Sequence, residues 1–216
     1  TPPPPCTPPT SSVLSQVQMP GATVQLFNEG FTTVVPAGWA FQNNSQPVGV
    51  TNWFQGNTAV FPANSGPANS YAGANFNNTT GANTISNWLF APSVLLKNGD
   101  IFTFFTRRVV STFPDRLQVR MNSTNTGTNV GATNTSVGDF TTLLLDINPT
   151  YTTTGYPTAW TQFSVTMSGL PAGGVNGRLA FRYFVENGGP AGANSNYIGI
   201  DDAVYTGSGS PTICAG

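Results

Sequence analysis

Two adjacent carboxylates, Asp201 and Asp202, stand inside the apolar run Tyr197-Ile198-Gly199-Ile200-Asp201-Asp202-Ala203-Val204-Tyr205. The chain has only eight acidic residues, so a pair set into a strand of core character needs compensation. An ionised carboxylate removed from water is costly unless a cation, a basic partner or renewed exposure at the strand's rim relieves it. Glycoside hydrolysis by paired acids needs two carboxyls roughly 5–10 Å apart in one cleft. Neighbours on a regular strand point to opposite faces, and nothing in the sequence brings Glu186 or Asp139 to join them. Asp201 capping a turn while Asp202 pairs with an arginine such as Arg182 is the plain alternative to a metal. If Ile198, Ile200 and Val204 face the core, Asp202 faces it too and Asp201 points outward, unless a bulge intervenes.

The other residues able to do chemistry are few. Histidine is absent, which removes Ser-His-Asp and Cys-His catalysis and histidine ligation of zinc. Cys6 and Cys214 lie near the two ends and neither adjoins a basic residue, so they read as a disulfide made in an oxidising compartment. On the chain-entropy account, so long a loop stabilises by roughly 5 kcal/mol. The pairing also places both ends of the chain close together. Sugar binding needs ring faces beside amide side chains. Trp53, Phe54 and Tyr71 lie among asparagines and could form such a platform. Asn187, Asn194 and Asn196 fall in a second loop, from Glu186 to Asn196. The competing reading packs these rings in the core and assigns the glycines to turns, and it suits Trp88 and Trp160, on strands, best. Arg107-Arg108 reads as solvated or packed against carboxylates.

The elements that must position these residues are short strands. Residues 1–20 hold Pro2 to Pro5, Pro8, Pro9 and Pro20, an extended proline-rich arm with no core of its own. In Arg116-Leu117-Gln118-Val119-Arg120-Met121 the apolar residues alternate strictly, facing in while the arginines face out. The same period marks Phe163, Val165 and Met167, and again Leu179, Phe181, Tyr183 and Val185. Asn98-Gly99 has hairpin-turn chemistry before the aromatic run that opens at Ile101. No stretch carries helical periodicity. About ten short strands in residues 21–216 predict one all-β domain, a β-sandwich of jelly-roll type.

Charged residues are only 7% of the chain, and Asn, Thr, Ser and Gly supply the polar surface, as in an extracellular, loop-rich protein. A net charge of −1 with seven basic residues excludes an electrostatic binder of nucleic acid or of membrane surfaces. The start at Thr1-Pro2-Pro3-Pro4-Pro5 has the look of a mature or trimmed chain, and no membrane-inserting run is present.

An ordered set of segments resembles the choice-of-anchor J family, which is related to bacterial cleaved-adhesin domains. The segments are Phe27-Asn28-Glu29-Gly30-Phe31, Pro36-Ala37-Gly38-Trp39, Asn87-Trp88-Leu89-Phe90-Ala91-Pro92, Asn98-Gly99-Asp100, Trp160-Thr161-Gln162-Phe163, Leu179-Ala180-Phe181-Arg182-Tyr183 and the closing Ile200-Asp201-Asp202. They span about residues 22–206. The resemblance implies a bacterial domain, secreted or held at the cell surface, with a galactose-binding-like jelly roll. It implies adhesion or binding without catalysis, and anchoring by C-terminal signals that are not visible before Gly216. It also implies a structural calcium ion where the first body strand meets the last, with Glu29 and Asp201 as ligands and Asp202 as alternate. Backbone carbonyls near Asn28 and in segment 73–78 could complete the shell. Glycans or extracellular proteins are then the expected partners of a monomeric module. Alternatives are a carbohydrate-binding module, or a matrix or envelope component without a specific ligand.

Overall fold

The computed structural model describes residues 23–208. The proline-rich arm at 1–20 and the proposed Cys6–Cys214 bridge lie outside the described residues. Twelve strands occur among them: β1 Thr23–Glu29, β2 Ala40–Asn43, β3 Phe54–Gln55, β4 Ala72–Asn75, β5 Asn83–Phe90, β6 Val94–Leu96, β7 Ile101–Arg108, β8 Leu117–Asn122, β9 Thr142–Ile147, β10 Thr161–Thr166, β11 Val175–Gly188 and β12 Tyr197–Ser208. One 3-10 turn, Phe76–Asn78, is the nearest approach to a helix, and no helix among the described residues could cross a membrane.

The strands form two antiparallel sheets of six. The front sheet runs β10-β7-β12-β4-β3 with β1 also on β12, and the back sheet runs β2-β5-β11-β8-β9 with β6 also on β11. Period-two alternation decides what lies between them. Leu117, Val119 and Met121 of β8 face Phe102 and Phe104 of β7 through Phe181 of β11, all buried in one cluster. Phe104 meets Phe181 at 4.8 Å in the edge-to-face geometry that aromatic quadrupoles favour. The expected β-sandwich is therefore present, with β1 laid antiparallel along the last strand so that Thr23 faces Ser208 and Glu29 faces Ala203.

Both outer faces carry loops as roofs. On the front sheet the segment between β3 and β4 lies over β12, where Phe61, Tyr71 and Tyr197 form a second apolar cluster with Trp160. On the back sheet the long Asn/Thr/Gly loop before Phe140 covers Trp88, Phe90 and Ala180 with Val130 and Phe140. Arg182 lies beneath this roof. Its guanidinium sits 3.9 Å from the Phe184 ring and 4.7 Å from Trp88, and donates to the carbonyls of Asn134 (2.6 Å) and Ser136 (3.2 Å). Burial pulls its pKa down to about 9.

Candidate functional site

The acid pair sits at a junction of three strands. Residues 197–200 of β12 pair with β4, residues 203–208 pair with β1, and Asp201 and Asp202 occupy the gap between them. On the other side, against β7, the register slips between Asp201, opposite Phe105, and Val204, opposite Thr103. Asp202 and Ala203 thus share one partner position, and Asp202 takes φ +48, a left-handed value that Asp tolerates better than most residues. The bulge changes which residues face inward. The regular alternation expected from sequence, with Asp202 and Val204 inside, gives way to Ile198, Ile200, Ala203 and Tyr205 in the core. Asp201 is fully buried on the opposite face, and Asp202 and Val204 are half-exposed.

The roof segment meets both carboxylates. Asp201 Oδ2 accepts from the backbone N–H groups of Asn64 (2.9 Å) and Ser65 (3.2 Å), while Oδ1 accepts from the N–H of Asp202 (2.8 Å). Asp202 accepts from Asn64 Nδ2 (2.8 Å) and Ser65 Oγ (2.7 Å). Burial nevertheless pushes the Asp201 carboxyl up to about 7, with the neighbouring Asp202 adding to the rise against those N–H donors. Glu29, at the end of β1, accepts from the Phe31 N–H (2.7 Å) and is also raised by burial. A Cβ on Gly30 would stand 3.7 Å from Asp202 Oδ1, so the Glu29-Gly30 corner abuts the acid pair. No arginine or lysine forms an ion pair with these three acids among the described residues, where Arg116 takes Asp146 at 2.7 Å and Glu186 at 3.3 Å. Arg182 belongs to the back sheet and is no partner for Asp202.

The residues present fit calcium incompletely. Oxygen is the only donor type at the junction, as the ion requires, yet no set of three or more Asp, Glu, His or Cys side chains is arranged to enclose a metal among the described residues. Carbonyl and amide oxygens would have to complete any shell. The expected contribution from segment 73–78 is not positioned for it. β4 pairs Ala72 with Ile200 and Asn75 with Tyr197, so the segment leads away from the acids, and Asn64 and Ser65 are the residues that reach them.

The rings expected as a sugar platform are placed elsewhere. Trp53 is buried in the main core and Tyr71 is fully buried beneath the front roof, so neither offers a face to solvent. Phe54 is half-buried against Tyr197. Asn194 lies in the loop between β11 and β12 and donates to the Glu186 carbonyl (2.8 Å). That loop does form a recess at one end of the sandwich. A concavity of about 160 Å³ is lined by Phe76, Phe113, Gly189, Pro190, Ser195 and Asn196. Phe113 is 45% exposed. Sequence reasoning noted this loop's asparagines but not Phe113, whose place beside them depends on long-range contacts.

No family model and no curated protein matches the sequence. Solved structures do match in fold. The K1 cleaved adhesin domain of Lys-gingipain from Porphyromonas gingivalis W83 is 22% identical, covering 88% of this chain and 100% of that one, with a TM-score of 0.57. The K3 cleaved adhesin domain of the same protein is 21% identical over 85% of this chain and 100% of its own, with a TM-score of 0.54. A structure described for carbohydrate-binding modules of the β-sandwich superfamily is 13% identical, covering 82% of this chain and 60% of that one, at a TM-score of 0.51. The chain shares the β-sandwich fold of these domains.

Proposed function

We propose that the chain is a non-catalytic binding module of bacterial origin, secreted or held at the cell surface, of the choice-of-anchor J kind. The observation that carries this reading is the fate of the acids. Asp201 and Asp202 are spent on the roof segment, Asp115 is walled in, and Asp146 and Glu186 bind Arg116. Histidine, the usual base near neutral pH, is absent, while a neutral recess of ring faces and an amide opens at the loop end. The likeness to adhesin domains and to a carbohydrate-binding module supports binding over chemistry. The reading predicts retention of the immobilised domain on glycans or extracellular matrix proteins, with no new reducing ends released from the polysaccharides tested. Release of reducing sugar at rates scaling with protein concentration would refute it.

Calcium is the second part of the proposal. Glu29, Asp201 and Asp202, which do not enclose an ion as they stand, would turn toward one another to supply carboxylates, and the ion would tie β1 to β12 at the bulge. The support is electrostatic: desolvated carboxyls without a basic partner gain most from a divalent cation. Chelator should lower the melting temperature by several degrees, and Glu29→Ala should remove that sensitivity. Identical melting curves with calcium and with chelator, on protein first shown free of metal, would rule the ion out.

A further inference from the structure

The recess at the loop end has three walls, and each is fixed from below. Arg108, only 2% exposed at the end of β7, donates to the carbonyls of Ser111 (3.0 Å) and Phe113 (3.2 Å) and holds the turn that presents Phe113. Asp115 is fully buried and accepts through Oδ1 from Tyr183 Oη (2.6 Å) and from the N–H of Asn196 (2.8 Å). The Ser195 N–H donates to the Pro114 carbonyl (2.8 Å), and the Phe76 N–H donates to the Asn196 carbonyl (3.0 Å), joining the walls to one another. Asn187 and Ser195 hold φ +51 and +73, left-handed values that persist only where surroundings over-determine them. Gly192 admits no side chain, since a Cβ there would lie 2.3 Å from the Asn187 carbonyl oxygen. The recess is therefore rigid before any ligand arrives, which lowers the ordering cost of binding.

Its chemistry selects the ligand. No charged residue lines it. All but one of the loop's own N–H groups, that of Ala193, are already used: Gly189 donates to Ser195 Oγ, Ala191 to the Gly81 carbonyl, Gly192 to the Gly189 carbonyl and Asn194 to the Asn187 carbonyl. A peptide strand therefore finds no free ladder to join, although main-chain pairing is what such recognition relies on. Two phenyl rings remain for apolar contact, and the Asn196 amide, whose side chain makes no hydrogen bond to the described residues, remains for polar contact. About 160 Å³ is smaller than a drug-sized pocket and suits one six-membered ring. Aliphatic C–H faces against rings, and hydroxyls against an amide, are what a neutral sugar presents.

We infer that this recess binds one neutral hexopyranose unit at the end of a glycan chain, with Phe113 and Phe76 taking its apolar face and Asn196 its hydroxyls. The inference rests on the binding-module reading and names its ligand class and site. The test is titration of the isotope-labelled domain with methyl glycosides of glucose, galactose and mannose, and with the methyl glycoside of glucuronate, its carboxylate free, as a charged control. The amide signals of Gly189, Gly192, Ser195 and Asn196 should shift for at least one neutral glycoside and not for the uronate. Phe113→Ala should weaken that binding about tenfold while leaving the melting temperature unchanged, and Asn196→Ala should act similarly. Shifts confined to other residues, or binding indifferent to both substitutions, would overturn the site while leaving a binding module intact. Silence toward all glycosides and on a glycan array would overturn the ligand class. Retention of protein partners in that second case, lost in Phe113→Ala, would preserve the binding-module reading and assign the recess to them instead.

Discussion

Asp201 shows how a single side chain sets a pH dependence. Its carboxyl is raised from an ordinary 3.8 to about 7, because burial disfavours the ionised form more than three N–H donors favour it. A group whose folded pKa lies above its unfolded value contributes stability that is fully present below the unfolded pKa. That contribution is lost as pH rises through the folded value. Metal-free protein should therefore melt progressively lower between about pH 4 and pH 7, and Asp201→Asn should flatten most of that slope. Asp115, pushed up to about 6 by the same cause, would leave a smaller residual slope of the same sign. Calcium at the junction would reverse the trend, since a cation favours the ionised form. A melting temperature independent of pH over this range in the wild-type chain would contradict the burial argument.

At the scale of elements, the decisive one is the roof segment between β3 and β4. It rests on Gly199 of β12, where a Cβ would come within 2.9 Å of ring carbons of Phe61, Tyr71 and Trp160. Gly199→Ala should therefore cost about 1–3 kcal/mol by overpacking. The same substitution should increase proteolytic nicking of the roof, while nicking unchanged from wild type would show that the rings absorb the methyl. The strands beneath were legible in the sequence because half of their pattern is written in alternation. Leu117, Val119 and Met121 face the core as their spacing predicts, whereas the turn at Asn98-Gly99 carries the chain from β6 in the back sheet to β7 in the front and closes no hairpin. The roofs were not legible. Ser, Thr, Asn and Gly carry no period, and what makes them structural is side-chain hydrogen bonding to groups distant in sequence, as Asn64 and Ser65 do to the Asp202 carboxylate. The bulge escaped for a related reason. One inserted residue reverses every later alternation, so Val204 and Tyr205 exchange the roles a regular strand would give them.

For the whole molecule, the sandwich followed from composition, strand spacing and the lack of helical periodicity, and the structure bears this out with two six-stranded sheets. The contact of the first described strand with the last, expected on resemblance, is present along all of β1. What sequence could not give is which loops from distant parts of the chain meet at one end, and hence the recess. The antiparallel pairing of β1 and β12 has a mechanical consequence. Thr23 lies opposite Ser208, so tension applied through the two ends of the described chain pulls both strands apart from the same point. The ladder's hydrogen bonds would break one after another, as in a zipper, and yield at low force, unlike strands sheared along their length. A cystine joining Cys6 to Cys214 would short-circuit that path. Pulling on the oxidised protein should leave the domain folded, whereas the reduced protein should open at β1 first. Resistance of the domain to load would then be governed by the redox state of those two cysteines.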